Sequence, residues 1–201
     1  MSLKRLEELR VELDEAITYG RFRVARSLVR RGLSGARDQE LLGELEYFKG
    51  QENILDEDYV GALKHFDKAI EYNPKDGASF NDRALCMMEL GMIDDAFSYF
   101  NKGIKVEPDY ATIYHNKGWL LNKIGRHAEA IDYFNKALEL EPGRAVTYEN
   151  LGDALANLGD YKDSIKAYSQ AIKALKPRYS NIKRQLISQV KKIERKIKAG
   201  K

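Results

Sequence analysis

The sequence predicts an all-α fold, a solenoid of antiparallel helix pairs stacked side by side. Its prolines, Pro74, Pro108, Pro142 and Pro177, stand 34, 34 and 35 residues apart. Proline ends a helix because it lacks an N–H and its ring clashes with the preceding turn, so these residues close units of nearly one length. Inside the units, small and aromatic residues recur in columns. Gly50, Ala84, Gly118 and Gly152 form one column, and Ala62, Ala96, Ala130 and Ser164 a second. Phe66, Phe100, Phe134 and Tyr168 follow four residues on, then Ala69, Gly103, Ala137 and Ala171 three beyond those. Offsets of three and four keep to one helical face, where a small residue lets a second helix approach closely. Gly91, Gly125 and Gly159 lie between the two halves of a unit, and glycine's access to the left-handed conformation ends a helix and starts a tight turn. Each unit therefore reads helix, turn, helix.

Taken in order, residues 1–42 begin with Leu6, Leu9, Leu13 and Ala16, spaced for one helix. Gly20, Arg21 and Phe22, followed by Ala25, Leu28 and Leu33, repeat the glycine-to-alanine spacing of a second helix. This segment is either a degenerate unit or a helical hairpin that caps the array. Ala25 precedes Ala62 by 37 residues, about three more than the regular period. Four regular units follow, at 43–76, 77–110, 111–144 and 145–178. The first is the least regular, with Glu57 in place of the turn glycine and Asn53 where the others have Met87, Leu121 and Leu155. Residues 179–201 place Ile182, Leu186, Val190, Ile193 and Ile197 on one stripe, which suits a basic capping helix over the last unit. The whole is expected to be one continuous solenoid domain, since each unit buries its apolar face against its neighbours.

These columns resemble the tetratricopeptide repeat, most clearly in "ATIYHNKGWLLNKIGRHAEAIDYFNKALELEPGR", and the resemblance covers Gly43 to Arg178. It implies a right-handed superhelix whose concave wall, lined by the first helices, holds an extended or helical peptide of a partner protein. The family usually has leucine just before the small residue of the first helix, where this chain has Lys49, Arg83, Lys117 and only then Leu151. Long basic side chains can lay their stems on the core and keep the charge in water. Carried over residue by residue, the groove positions are Glu44, Tyr47, Phe48, Gln51 and Ile54 in the first unit, then Ala78, Asn81, Asp82, Leu85 and Met88. The third unit contributes Thr112, His115, Asn116, Trp119 and Asn122, and the fourth Val146, Glu149, Asn150, Asp153 and Ala156. Trp119 is the sole tryptophan and suits an interface anchor, with Leu85 and Met88 beside it. It equally suits a filler between neighbouring first helices. Asn116 and Asn150 can hydrogen-bond a ligand backbone, or cap and solvate a helix. One subclass of the family grips chaperone C-terminal carboxylates with a clamp of lysines, asparagines and an arginine. Neither frame of three consecutive units places a cation at those positions here, and Asp82, Glu149 and Asp153 would repel a carboxylate. A neutral to basic peptide or helix is the expected partner, and chaperone tails are not.

With 43% hydrophobic and 32% charged residues the chain reads as globular. It has no apolar run of the ~18 residues that a membrane span needs. The amphipathic, acidic start argues against a signal or transit peptide, so a cytoplasmic location is expected. Cys86 is alone and His65, His115 and His127 are dispersed, so neither a disulfide framework nor a metal or other cofactor site is legible. Cys86, within "ALCMMEL", reads as a small core residue. The glycines follow the period rather than a phosphate-binding loop, and the acidic pairs Asp94-Asp95 and Asp56 to Asp58 lie in turns. An interaction scaffold is expected rather than an enzyme.

Charge is uneven. Residues 21–37 carry six basic groups and no acidic one, and 176–201 carry ten against one. Lys183, Arg184, Lys191, Lys192, Arg195 and Lys196 form a basic stripe. It is the wet face of the capping helix, or an attractor for nucleic acid, anionic lipid or an acidic protein, with Arg21 to Arg37 as a second such surface. Attraction between a basic end and the acidic middle of another copy would give weak self-association, and end-to-end stacking of solenoids is a further route that the C-terminal helix, as a cap, argues against. Burying four or five apolar side chains of the C-terminal helix is worth about 1.5–3 kcal/mol each before entropy is subtracted. A chain ending at Arg178 is therefore expected to melt well below the full chain; equal melting temperatures would show that the helix does not pack.

Overall fold

The computed structural model describes residues 2–200, so Met1 and Lys201, the outer ends of the two terminal segments, lie outside the described residues. Among the described residues every regular element is helical, and the helices fall into two compact units, Met1–Pro108 and Asp109–Lys201.

The first unit contains α1 (Leu3–Thr18), α2 (Phe22–Asp38), α3 (Leu42–Leu55), α4 (Tyr59–Tyr72), α5 (Gly77–Glu89) and α6 (Ile93–Val106), each packed against the next. Ser2 opens α1 by accepting the Arg5 N–H, and Leu6, Leu9, Leu13 and Ala16 are its buried stripe, as their spacing predicts. In α2, Ala25 and Leu28 are buried and Leu33 is half-buried. The small-residue column explains how α3 and α4 come together. Phe66 is fully buried against Gly50, where an added Cβ would lie 2.7 Å from the ring. Phe48 lies against Gly32 of α2 in the same manner.

The helix-to-helix turns share one closure. At the end of α5, Gly91 takes φ 78° while its N–H bonds Met88 O and the Met92 N–H bonds Met87 O. Two helix-terminal carbonyls are thereby satisfied by one left-handed residue. The end of α3 repeats these bonds from Glu57 to Ile54 and from Asp58 to Asn53, with Glu57 at φ 60°. Asn53 departs from the apolar residues of its column for a local reason. Its carboxamide donates to Asp58, whose other oxygen caps α4 at the Gly61 N–H.

The basic column departs in part from expectation. Lys49 keeps a half-exposed ammonium paired with Glu46. The Arg83 guanidinium instead lies over the Tyr99 ring and donates to both oxygens of Asp67, leaving only 12% of its side chain exposed. In the second unit Lys117 is buried and donates to the Tyr133 hydroxyl. For Arg83 and Lys117 an aromatic side chain on the following helix covers the head, so the charge is met by protein rather than water.

The second unit contains α7 (Ala111–Lys123), α8 (His127–Leu140), α9 (Ala145–Asn157), α10 (Tyr161–Ala174), a 3₁₀ turn (Pro177–Tyr179) and α11 (Ser180–Lys198). Phe134 lies against Gly118 and Tyr168 against Gly152, while Gly125 and Gly159 form the turns at φ 83°. Ser164, which replaces alanine in its column, donates its buried hydroxyl to Gly152 O. Leu186 and Ile193 of α11 are buried with Tyr168 and Ala171, and Ile182 and Val190 pack against this cluster. Ile197, the last of the expected stripe, is 40% exposed because it lies beyond that contact.

Glu57 is exposed and carries a side chain in a conformation that disfavours one by roughly 1–2 kcal/mol. Glu57→Gly is expected to stabilise the chain by about 1 kcal/mol after glycine's greater unfolded-state entropy is subtracted. That is roughly 2–4 °C in a thermal melt, and a lowered melting temperature would contradict the turn assignment.

Candidate functional site

In the first unit the expected groove positions of α3 and α5 form a closed polar network, and its centre comes from α1. The Arg10 guanidinium lies 3.6 Å from the Tyr47 ring centroid. It donates to both Glu44 oxygens at 2.8 and 3.0 Å and to both Asp76 oxygens at 2.9 and 3.0 Å. Beside it, Gln51 and Asn81 donate through their carboxamides to Asp82, Asn81 at 2.8 Å. Tyr47, Gln51, Asn81 and Met88 are buried, whereas Asp82 and Leu85 are half-buried. Burial pushes the Asp82 carboxyl up to about 7, although hydrogen bonds from Asn81 and Tyr47 oppose the shift. Arg10 is absent from the positions derived above because those begin at residue 43. The 37-residue offset from Ala25 to Ala62 carries the column of Tyr47, Asn81, His115 and Glu149 back onto Arg10, which is the signal that identifies it.

In the second unit His115 is buried, 5.8 Å from the Phe134 ring, with Thr147 Oγ1 at 2.9 Å from Nδ1. Burial, aided by the charge of Arg144, lowers its pKa to about 3, so the ring is neutral. The Asn150 carboxamide lies 3.5 Å from its Nε2. Asn116 and Trp119 are half-buried, and the Lys123 ammonium stands 4.9 Å from the indole centroid. Glu149 and Asp153, one turn apart on α9, are half-buried carboxylates and neither forms an ion pair among the described residues. Burial raises both, and the Asp153 charge raises Glu149 further. Tyr168 donates its hydroxyl to Asp153.

A cleft of about 350 Å³ opens beside these groups. Asn122, Asp153, Ala156 and Tyr168 line one side, and Gln189, Lys192, Ile193 and Lys196 of α11 the other. The structure thus joins two sets of residues that the sequence leaves apart, the groove positions Asn122 and Asp153 and the cap lysines Lys192 and Lys196. Lys183, Arg184, Lys191 and Arg195 are exposed and do not line it. Asn122 is also held locally, its Oδ1 lying 2.6 Å from His127 Nδ1. Among the described residues no group of His, Cys, Asp and Glu could hold a metal ion, and no helix is long and apolar enough to cross a membrane. Cys86 is buried, which pushes its thiol up.

Paired helices of one period, aromatic rings on small residues and a shared left-handed turn define a repeat protein of the tetratricopeptide kind. Models of the tetratricopeptide repeat match residues 111–144 and 145–176, so the chain carries repeats of this kind. It is 37% identical over 54 residues to the Hsp70-Hsp90 organizing protein of Triticum aestivum, a match that covers 27% of this chain and 9% of that protein. The chain spans about a tenth of the length of the curated relatives it matches. Among solved structures it is similar to TTC0263, a thermophilic TPR protein in Thermus thermophilus, with a TM-score of 0.72 at 16% identity over 91% of this chain and 97% of that one. It is also similar to PilW, a type IV pilus biogenesis factor, with a TM-score of 0.61 at 26% identity over 66% and 61% of the two chains.

The buried groups give a pH dependence of known sign. Asp82 binds its proton more tightly folded than unfolded, so its contribution to stability falls as pH rises from about 4 to about 7, with a slope of up to ~1.4 kcal/mol per pH unit. His115 acts oppositely, its contribution falling as pH drops from about 6.5 towards 3, because the unfolded chain takes up the proton first. Urea denaturation between pH 5 and 7 is expected to show a shallower loss of stability with rising pH in Asp82→Asn than in the parent. An identical slope would assign that titration to another group.

Proposed function

We propose that this tetratricopeptide-repeat protein acts as an interaction scaffold that holds a neutral to basic peptide or helix of a partner protein on the face shared by α7 and α9. The observation that carries this reading is the open pair of half-buried carboxylates on α9: Asp153, in the groove column of Trp119 and lining the cleft, and Glu149 one turn before it, in the column of His115. Two like charges one turn apart, partly desolvated and without a cation, are unfavourable alone and become favourable when a ligand supplies a lysine or arginine. Trp119 offers an apolar body for a neighbouring side chain, the setting in which tryptophan contributes most to binding. Asn116 and Asn150 are placed for a ligand backbone.

The same carboxylates weigh against an acidic chaperone tail, although part of the chain is similar to an Hsp70-Hsp90 organizing protein. In the first unit the corresponding face is occupied by the Arg10 network, whose cation is already shared between Glu44 and Asp76. The role is one of binding, with no chemical step assigned to any residue.

Trp119→Ala is expected to weaken partner binding about tenfold or more with helicity unchanged, measured by calorimetry with a partner captured from the native extract. Unchanged affinity would move the site away from α7.

A further inference from the structure

The apolar stripe of α2 (Ala25, Leu28, Val29 and Ala36) is buried in the first unit, and its outward face is built from arginine. Arg23, Arg30 and Arg37 stand seven residues apart and all are exposed. Seven residues fall about 20° short of two full turns, so the three lie on one strip, about 10.5 Å apart and about 21 Å from first to last. Exposed Ser27 and Ser34 lie four residues after the first two arginines, adding hydroxyls along the strip. Arg31 is exposed beside it, and none of these four arginines makes an ion pair among the described residues. Arg26, by contrast, is engaged, with Asp56 and Leu55 O. No acidic residue occurs between Ala16 and Arg37. Phe22, 57% exposed, stands at the N-terminal end of this ridge.

From this arrangement we infer that α2 is a binding surface for single-stranded nucleic acid, with Arg23, Arg30 and Arg37 on three backbone phosphates of one strand and Phe22 stacked on a base. The residue types decide the class of ligand. Guanidinium forks match phosphate oxygens two at a time, which a lysine ammonium does not. A membrane surface needs an apolar strip facing the lipid, and in α2 that strip is already buried in the protein core. A single strand can follow a straight row of cations, and an aromatic face accepts any base, so the surface reads the backbone rather than the sequence. This surface belongs to the first unit, whereas Trp119 belongs to the second, and it does not depend on the peptide-binding reading. It also differs from the basic stripe of α11, two of whose lysines line the cleft.

The test is fluorescence anisotropy of the full chain with labelled uridine and deoxythymidine oligonucleotides of about a dozen residues, in about 50 and 200 mM salt. Three phosphate contacts with a single strand predict a salt exponent of about −2, so affinity should fall roughly twentyfold between those conditions. Replacing Arg23, Arg30 and Arg37 together by glutamine should weaken binding at low salt about tenfold or more and flatten the salt dependence. Phe22→Ala should weaken it about fivefold with the salt exponent unchanged. Circular dichroism of each variant checks that it keeps the helicity of the parent. Equal affinity for the two oligonucleotides supports backbone reading; preference for RNA alone would add a 2′-hydroxyl contact to the same surface. The inference is overturned if the parent chain binds neither oligonucleotide at low salt. It is also overturned if glutamine at Lys183, Arg184, Lys191 and Arg195 abolishes binding while the α2 variant does not. Binding to phosphatidylserine vesicles without binding to oligonucleotides would assign α2 to a membrane instead.

Discussion

Where Phe66 lies on the bare backbone of Gly50, two helices come closer than any side chain between them would permit, and the same contact recurs at Gly118 with Phe134 and Gly152 with Tyr168. Each ring is buried almost completely, which removes a large apolar area from water and adds many dispersion contacts. Other features follow from this approach. It sets which face of each helix points into the pair and which points out, and it requires a tight left-handed turn to return the chain. The buried Ser164 hydroxyl fits only because Gly152 brings a backbone carbonyl within reach.

Once the pair contact has fixed the inward faces, the remaining faces of the first helices must find other partners. In the first unit they do so through charge. Arg10, Glu44 and Asp76 are largely withdrawn from water, and buried charges persist only when fully hydrogen-bonded, as the four bonds of Arg10 provide. The Asp82 carboxyl is surrounded by neutral donors, which explains why burial dominates its protonation. In the second unit His115 takes the corresponding place as a neutral ring, while Glu149 and Asp153 remain without a cation among the described residues. The two units therefore share a backbone pattern and differ in what their first helices leave open.

The two basic helices differ in the same physical terms. In α11 the apolar stripe anchors the helix to Tyr168 and Ala171, and the flanking lysines fall where that packing directs them, two of them into the cleft. In α2 the buried stripe leaves a strip of arginines with no acidic neighbour on the helix before Asp38 to neutralise it. A count of charges along the chain does not separate these cases, because it ignores which face is buried.

The sequence by itself determined the all-α class, the small and aromatic columns, the left-handed turns at Gly91, Gly125 and Gly159, and the buried stripes of α1 and α11. Each is a local or periodic property, set by proline sterics, glycine freedom and helical repeat. Glu57 shows the limit of that reasoning, because the turn forms with a residue that disfavours it, carried by the hydrogen bonds around it. The candidate site was legible only in part. Column positions identified Trp119, Glu149 and Asp153, yet gave no indication that Tyr47, Gln51, Asn81, Met88 and His115 are buried, because burial depends on what the neighbouring helices place over them. The tertiary structure alone decided that Arg10 closes the first unit's polar face and that Lys192 and Lys196 meet Asn122 and Asp153 across one cleft. The reason is physical: a long side chain is placed by the packing of helices distant in sequence, and a repeat period records only what every unit has in common.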